Sequence, residues 1–272
     1  MAVSRWAEVH RLAVAGQQQA IARHVGARLS AVWLRVSRFA DVVALSRQTL
    51  TLGPDAKGLN YLGWALSATG QPRLALACFE QAMPLRRESG DRAGEAATLT
   101  NIGHVYDSLG DLQQALAYYQ QALPITREVG DRVGEATALN NIGLVYDALG
   151  DLQQALANLQ QALPIDRESG NRAGEATTLH NIASVYDSLD DLQQALVYYQ
   201  QALPIRREVG DRAGEAVTRF NVAMILRADG NLDEAIRELE LVVELDRQIE
   251  HPDLAADTTM LEQLRQERAE RP

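Results

Sequence analysis

The sequence predicts an all-α solenoid of antiparallel helix hairpins, and three observations predict it. A 40-residue unit repeats in register: residues 96–135, 136–175 and 176–215 are near copies, and the first two differ at 11 of 40 positions. Each unit carries two apolar stripes at helical spacing. A Gly-Asp pair or its Asp-Asp variant separates the stripes at a constant place. A period of this length marks a stacked architecture, because one hairpin cannot bury its apolar face without neighbours.

Residues 1–55 have helical periodicity but match the unit poorly, so N-terminal helices and a degenerate or capping repeat are expected there. Trp33 and Phe39 fall where such a repeat places apolar residues. Core or cap is their first reading, and a docking face for another domain or subunit is the second; Trp6 lies in the same segment. Residues 56–251 hold the array, about five repeats. In the copy at 136–175, Leu139, Ile142, Gly143 and Tyr146 form the first stripe. Gly150 ends that helix and Asp151 caps the next. Leu152, Ala155, Leu156, Leu159, Ala162 and Leu163 form the second stripe. Gly143 and Ala155 are small where the helices should cross closely. The glycine is the more informative, since Gly costs about 1 kcal/mol inside a helix.

Pro84, Pro124, Pro164 and Pro204 stand inside the second stripes, where a missing N–H should kink or divide the helix. The linker RE-x-G-D-R-x-G-E supplies Gly130 as a helix end, Asp131 as a cap and Glu135 in the opening turn. Arg132 is placed to pair with a carboxylate of the adjacent repeat, and such surface pairs read as spacing devices. Residues 252–272 read as a C-terminal capping helix with Leu254, Leu261 and Leu264 on one side, and a tail at 268–272 that frays.

The composition excludes several functions. Apolar residues make up 46%, enough for a sizeable core, and 23% are charged. A net charge of −10, from 26 basic and 36 acidic residues, argues against a nucleic-acid footprint. No apolar run is long enough to span a membrane. Arg5, Glu8 and His10 interrupt any signal-peptide core, so a cytoplasmic location is expected. Cys78 is the single cysteine, which leaves no disulfide framework within the chain and no multi-cysteine zinc site; a buried small hydrophobe is its default reading. His10, His24, His104, His180 and His251 are scattered without metal-ligand spacing, and no nucleophile elbow, dinucleotide fingerprint or isolated acid/base pair stands out. No enzyme activity, metal or cofactor is expected. The basic residues are 25 Arg and one Lys, Lys57, a bias typical of a GC-rich bacterial genome.

The motif Leu99-x2-Ile102-Gly103-x2-Tyr106 followed by Ala115-x3-Tyr119 resembles the tetratricopeptide (TPR) repeat, as does Leu59-x2-Leu62-Gly63 followed by Ala75-x3-Phe79. The resemblance covers roughly residues 23–246. The period is 40 rather than 34, and the prolines lie earlier than in the usual pattern. The long form is similar to arrays of kinesin light chain and spindle-orientation adaptors, and still more to the C-terminal arrays of bacterial STAND/NB-ARC regulators. Those regulators carry a P-loop ATPase; this sequence has no P-loop motif, so the ATPase does not carry over. The resemblance implies a right-handed superhelix whose first helices line a concave groove, and a protein or peptide partner held there. A sensor array for a small-molecule or protein trigger is the alternative. Exchange of near-identical hairpins between chains would give self-association.

Candidate groove residues follow from phase. Asn101, Asn141, Asn181 and Asn221 recur one residue before the core Ile or Val. A carboxamide donates and accepts, so the series could hold a peptide backbone as a ladder; bonding to a neighbouring helix is the competing reading. Two phases vary while the scaffold persists: Trp64, His104, Leu144, Ser184 and Met224 at one, and Thr100, Asn140, His180 and Phe220 at the other. Large apolar side chains among them favour a covered, ligand-contacting surface over neutral drift. Asp107, Asp147 and Asp187 close the same helices, where a carboxylate opposes the helix dipole. Facing inward they would make an acidic rim for a basic or amine-bearing partner; facing out they are solvated helix ends.

Overall fold

A computed structural model describes residues 2–270, and among them are fourteen helices and no strand. The chain divides into two compact units, residues 1–134 and 135–272.

In the first unit, α1 (Ala2–Ala15) packs on α2 (Gln19–Arg35), α2 on α3 (Phe39–Leu50), α3 on α4 (Ala56–Ala68) and α4 on α5 (Pro72–Glu88). Next come α6 (Arg92–Ser108) and α7 (Leu112–Val129). Helix α4 also touches α2 and α6, so the first helices of successive hairpins lie side by side. The core joins Leu62, Phe79, Leu99, Ile102 and Val105. A separate cluster of Val25, Leu29, Trp33, Val42 and Leu45 has Phe39 packed against it, which makes Trp33 and Phe39 part of the core; Trp6 is exposed. Cys78 is buried, and burial pushes its thiol up from the ordinary value.

The second unit takes up α8 (Arg132–Ala148), which carries the boundary, then α9 (Leu152–Ser169), α10 (Arg172–Ser188), α11 (Leu192–Val209), α12 (Arg212–Ala228), α13 (Leu232–Ile249) and α14 (Leu254–Glu270). Its cores centre on Leu159, Leu179, Ile182 and Val185, on Tyr199, Val222 and Ile225, and on Leu239, Val242, Leu261 and Leu264. Helix α14 thus covers α13 with Leu261 and Leu264. The helix runs on to Glu270, and Arg268 Nε donates to Asp233 Oδ1 at 2.8 Å. Arg271 and Pro272 lie outside the described residues.

The turn chemistry works as the residue types require. Asp151 Oδ1 accepts the Gln154 N–H at 3.2 Å, and Asp131 Oδ1 accepts the Gly134 N–H at 2.9 Å. Gly130 ends α7 at φ 71°, a left-handed conformation that glycine takes without a Cβ clash. Gly143 is needed for a different reason, because a Cβ there would stand 2.7 Å from Leu159 Cγ. The side chain that presses on it is therefore Leu159, with Ala155 contributing its carbonyl oxygen.

One expectation is corrected. The prolines do not divide the second helices: α5, α7, α9 and α11 each run through theirs. All four prolines are exposed, so the carbonyl each leaves unpaired sits on the water-facing side, and the helix continues. The linker's exposed Arg–Glu pairs are joined by a second, buried set of carboxylates that the surface reading did not include. Glu95, Glu175 and Glu215 are buried. Arg87 Nε and Arg167 Nε donate to Glu95 and Glu175, each at 2.8 Å. Arg92 and Arg172 pair with them too, and reach on to Glu128 and Glu208 of the next linker at 2.8 and 2.7 Å. Holding a carboxylate out of water needs such donors.

Candidate functional site

The asparagine series is tied into the protein. Asn101 Nδ2 donates to Asn60 Oδ1 at 3.3 Å, and Asn181 Nδ2 donates to Asn140 Oδ1 at 2.9 Å. In both, the acceptor stands on the first helix one repeat earlier. Asn221 Nδ2 donates instead to the Tyr199 hydroxyl at 3.1 Å. Asn141 and Asn181 are buried, whereas Asn101 and Asn221 are half-buried. Asn101, Asn181 and Asn221 thus each spend an N–H on a neighbouring helix, the competing reading of the series, because a buried amide N–H without a partner is costly.

In the first unit, Trp64, Asn101 and His104 line one cleft of about 260 Å³, with Phe79 and Val105 behind them. Trp64 is 42% exposed. His104 Nδ1 lies 2.9 Å from the Tyr119 hydroxyl, and the rings meet edge to face at 5.4 Å. Thr100 is half-buried, its hydroxyl donating to the Ala96 carbonyl, and Asp107 is exposed.

In the second unit the candidates gather around Tyr199. Its ring is buried in the hairpin core, while its hydroxyl accepts from Asn221 and bonds Ser184. The His180 ring lies 5.1 Å away, with Nδ1 3.0 Å from Thr218 Oγ1. Burial pushes the Tyr199 phenol up to about 12, Asn221 opposes the rise, and the Asp187 and Asp147 charges add to it. Burial pushes His180 down to about 4, and the Arg206 guanidinium adds to the fall while Asp211 opposes it. Burial raises both Asp147 and Asp187, with Asp190 adding to the rise at Asp187. The carboxylates therefore bear on the same polar cluster. Leu144 is 39% exposed. Phe220 and Met224 are only half-buried and pack against the core around Leu239.

Sequence reasoning missed a third varying phase, on the second helices. Arg86, Thr126, Asp166, Arg206 and Asp246 occupy one position of successive copies, and all are buried. The signal was present, since charge changes there while the flanking residues persist. Among the described residues, no group of three or more His, Cys, Asp or Glu could hold a metal ion, and no helix is long and apolar enough to cross a membrane.

Stacked hairpins with small-residue crossings and first helices side by side define a helical-repeat protein. Residues 54–128, 94–168, 134–208 and 174–248 each match the tetratricopeptide repeat model, and the chain belongs to that family. BtubC (BKLC) from P. vanneervenii is 21% identical over 92% of this chain and 93% of its own, with a TM-score of 0.65. The nearly identical, kinesin light chain-type TPR-like repeats of Podosopora anserina are 18% identical over 71% and 95%, with a TM-score of 0.57. A Rap protein complexed with competence and sporulation factor is 15% identical over 91% and 77%, with a TM-score of 0.65. These identities make the likeness one of fold. No curated protein matches the chain in sequence.

Proposed function

We propose that this protein is a non-enzymatic scaffold of the cytoplasm that holds a peptide segment of a partner protein against its first helices. The observation that carries the reading is the pair of carboxylates, Asp147 and Asp187, on the first helices around a polar cluster whose centre, the Tyr199 hydroxyl, is itself buried. Ser184 and Asn221 bond it, His180 stands beside it, and the charges of Asp147 and Asp187 reach it. Neutral hydrogen-bonding groups under a negative field suit a segment bearing Lys or Arg. Within the same unit Leu144 offers apolar area, and the Asn181–Asn140 bond fixes the spacing of the helices that present it.

Selection of a displayed random dodecapeptide library on the protein tests this. Enrichment of basic peptides is expected, with binding lost in an Asp147→Asn, Asp187→Asn variant whose circular dichroism and melting match the wild type. Absence of any enriched peptide, or binding indifferent to the variant, overturns the reading.

A sensor role is the alternative, favoured by the Trp64–Asn101–His104 cleft, whose aromatic and polar lining suits a trigger small enough for its volume of about 260 Å³. A small-ligand melting shift abolished by Trp64→Ala would select it.

A further inference from the structure

We infer that the second unit contains a further site at its C-terminal cap: a pocket between α12 and α14 that takes a guanidinium group carried on an alkyl stem. It is built from other residues than the Tyr199 cluster and does not depend on that reading.

The pocket has a volume of about 250 Å³. Val217 and Phe220 line it from α12, and Asp246 lines it from near the end of α13. His251 and Asp253 enter from the following turn, and Asp257 enters from α14. Apart from the histidine, every ionisable group in this lining is an acid. Phe220 stands where earlier copies have Thr100, Asn140 and His180, so its ring is peculiar to this hairpin.

Asp246 is the sign of a ligand. It is 1% exposed, and its Oδ2 is buried without a hydrogen-bond partner. Two repeats earlier, at the same phase, buried Asp166 has both oxygens satisfied: Asn171 Nδ2 donates to Oδ1 at 2.7 Å, and Thr178 Oγ1 donates to Oδ2 at 2.9 Å. Neither donor is supplied to Asp246. His251 stands at the phase of Asn171, but its Nδ1 is 3.9 Å from Asp246 Oδ1 and accepts the Asp253 N–H at 3.3 Å. Thr258, twelve residues beyond Asp246 as Thr178 is beyond Asp166, turns its hydroxyl to the Leu254 carbonyl at 2.7 Å. The Asp257 carboxyl adjoins Asp246 and offers it a donor only while protonated. Burial, Asp246 and Asp253 push Asp257 up to about 6, with His251 opposing, so above that pH the donor is lost. A buried carboxylate left in this condition is costly unless a donor arrives.

The lining states what that donor must be. Among the described residues, no three such groups could hold a metal ion, which leaves an organic cation. A guanidinium brings several N–H donors to Asp246 and Asp257 at once, sheds water more readily than an ammonium, and lies flat on an aromatic ring such as Phe220. The charge balance agrees: residues 135–272 hold 12 Arg against 25 Asp or Glu, a field that draws cations towards this unit.

The test is isothermal titration calorimetry of the full chain at pH 7.5 with L-arginine, with arginine capped as its N-acetyl methylamide, and with the uncharged isostere citrulline in both forms. Arginine is expected to bind about tenfold or more tighter than citrulline. Binding of the capped form assigns the guanidinium to an arginine of a protein segment, and binding of L-arginine alone assigns it to a free molecule. Asp246→Asn should abolish binding while melting no lower than the wild type. Asp257→Asn, at a half-buried position, should weaken binding about tenfold and keeps the test open if the first variant fails to fold. The Asp147→Asn, Asp187→Asn variant should bind arginine as the wild type does, so failure here and failure of the basic-peptide site are separate results. Equal binding of arginine and citrulline, no binding of either arginine form, or undiminished binding in the Asp246 and Asp257 variants overturns the proposal.

Discussion

Asp166 Oδ1 accepts a 2.7 Å hydrogen bond from Asn171 Nδ2, whereas at the same two phases Arg86 pairs with Asp91 and Arg206 with Asp211. The helix cap thus changes with the buried residue behind it: an aspartate where that residue is cationic, an asparagine where it is an acid. Asn171 still caps, since its Oδ1 accepts the Gly174 N–H at 3.2 Å. Asn171→Asp would keep the cap acceptor but set a second carboxylate against buried Asp166. We expect a loss of about 2–3 kcal/mol at neutral pH. Adding Asp166→Arg, the arrangement at Arg206 and Asp211, should recover most of it. Urea unfolding midpoints of the single and double variants measure both effects.

Gly143→Ala and Gly103→Ala are expected to differ, although both glycines occupy one phase. A Cβ at Gly143 would meet Leu159 Cγ at 2.7 Å and the Ala155 carbonyl oxygen at 3.2 Å. Neither can yield readily, so overpacking of about 1–3 kcal/mol outweighs the gain in helix propensity of about 1 kcal/mol. A Cβ at Gly103 would stand still closer, 2.6 Å from Tyr119 Cε1, but it meets only that ring among the nearest atoms, and the copy with Ala183 beside the buried Tyr199 already accommodates the pair by a ring shift. Gly103→Ala should therefore be near neutral. Thermal melts of the two variants under one condition decide the order.

The hairpins, their caps and their core stripes were legible because period and spacing encode them directly: Leu139, Ile142 and Leu159 are buried where helical phase places them. The groove residues were legible only as positions. Phase placed Asn181 on the wall but could not show that Asn140, one repeat earlier, stands within hydrogen-bonding reach. Proline chemistry misled because its cost depends on whether the freed carbonyl meets water, which a local pattern does not reveal. That Arg23, Lys57 and Arg86 line one cleft escaped because they come from three helices, and their meeting is a tertiary fact.

Acid should stabilise the C-terminal cap. Burial pushes Asp257 up to about 6, and the adjoining Asp246 carboxyl adds to the rise while His251 opposes it. A carboxyl raised in the folded state contributes stability that is complete below its ordinary value and is lost as pH rises through about 6. His180, pushed down to about 4, works in the opposite sense, its share being complete above its ordinary value and lost as pH falls. The difference between wild type and Asp257→Asn isolates the first effect. The variant should gain about 1 kcal/mol on the wild type at pH 7.5, allowing for solvent screening, and little at pH 4. Melting curves across that range check it, and a constant difference would reject the assignment.

The last repeat replaces a core leucine with charge. Arg219 occupies the phase of Leu99, Leu139 and Leu179 and is only 5% exposed. Its Nε and Nη2 donate to Glu215 Oε1 at 2.9 and 2.8 Å, and Nη1 pairs with Glu238, which burial raises. Glu238 in turn takes the phase of Tyr118 and Tyr198, which stack on Tyr106 and Tyr186 with ring centroids 5.5 Å apart. Removing one member strands the others, so Arg219→Ala should cost about 3–5 kcal/mol. Restoring the residues of the earlier copies is another matter, since the paired charges hardly recover their own desolvation. Arg219→Leu with Glu238→Tyr is expected to leave stability unchanged or to raise it by up to about 4 kcal/mol. Chemical unfolding of the two variants gives the comparison. A double variant as damaged as the alanine variant would mean that the cluster sets the geometry of this hairpin in a way the apolar version cannot.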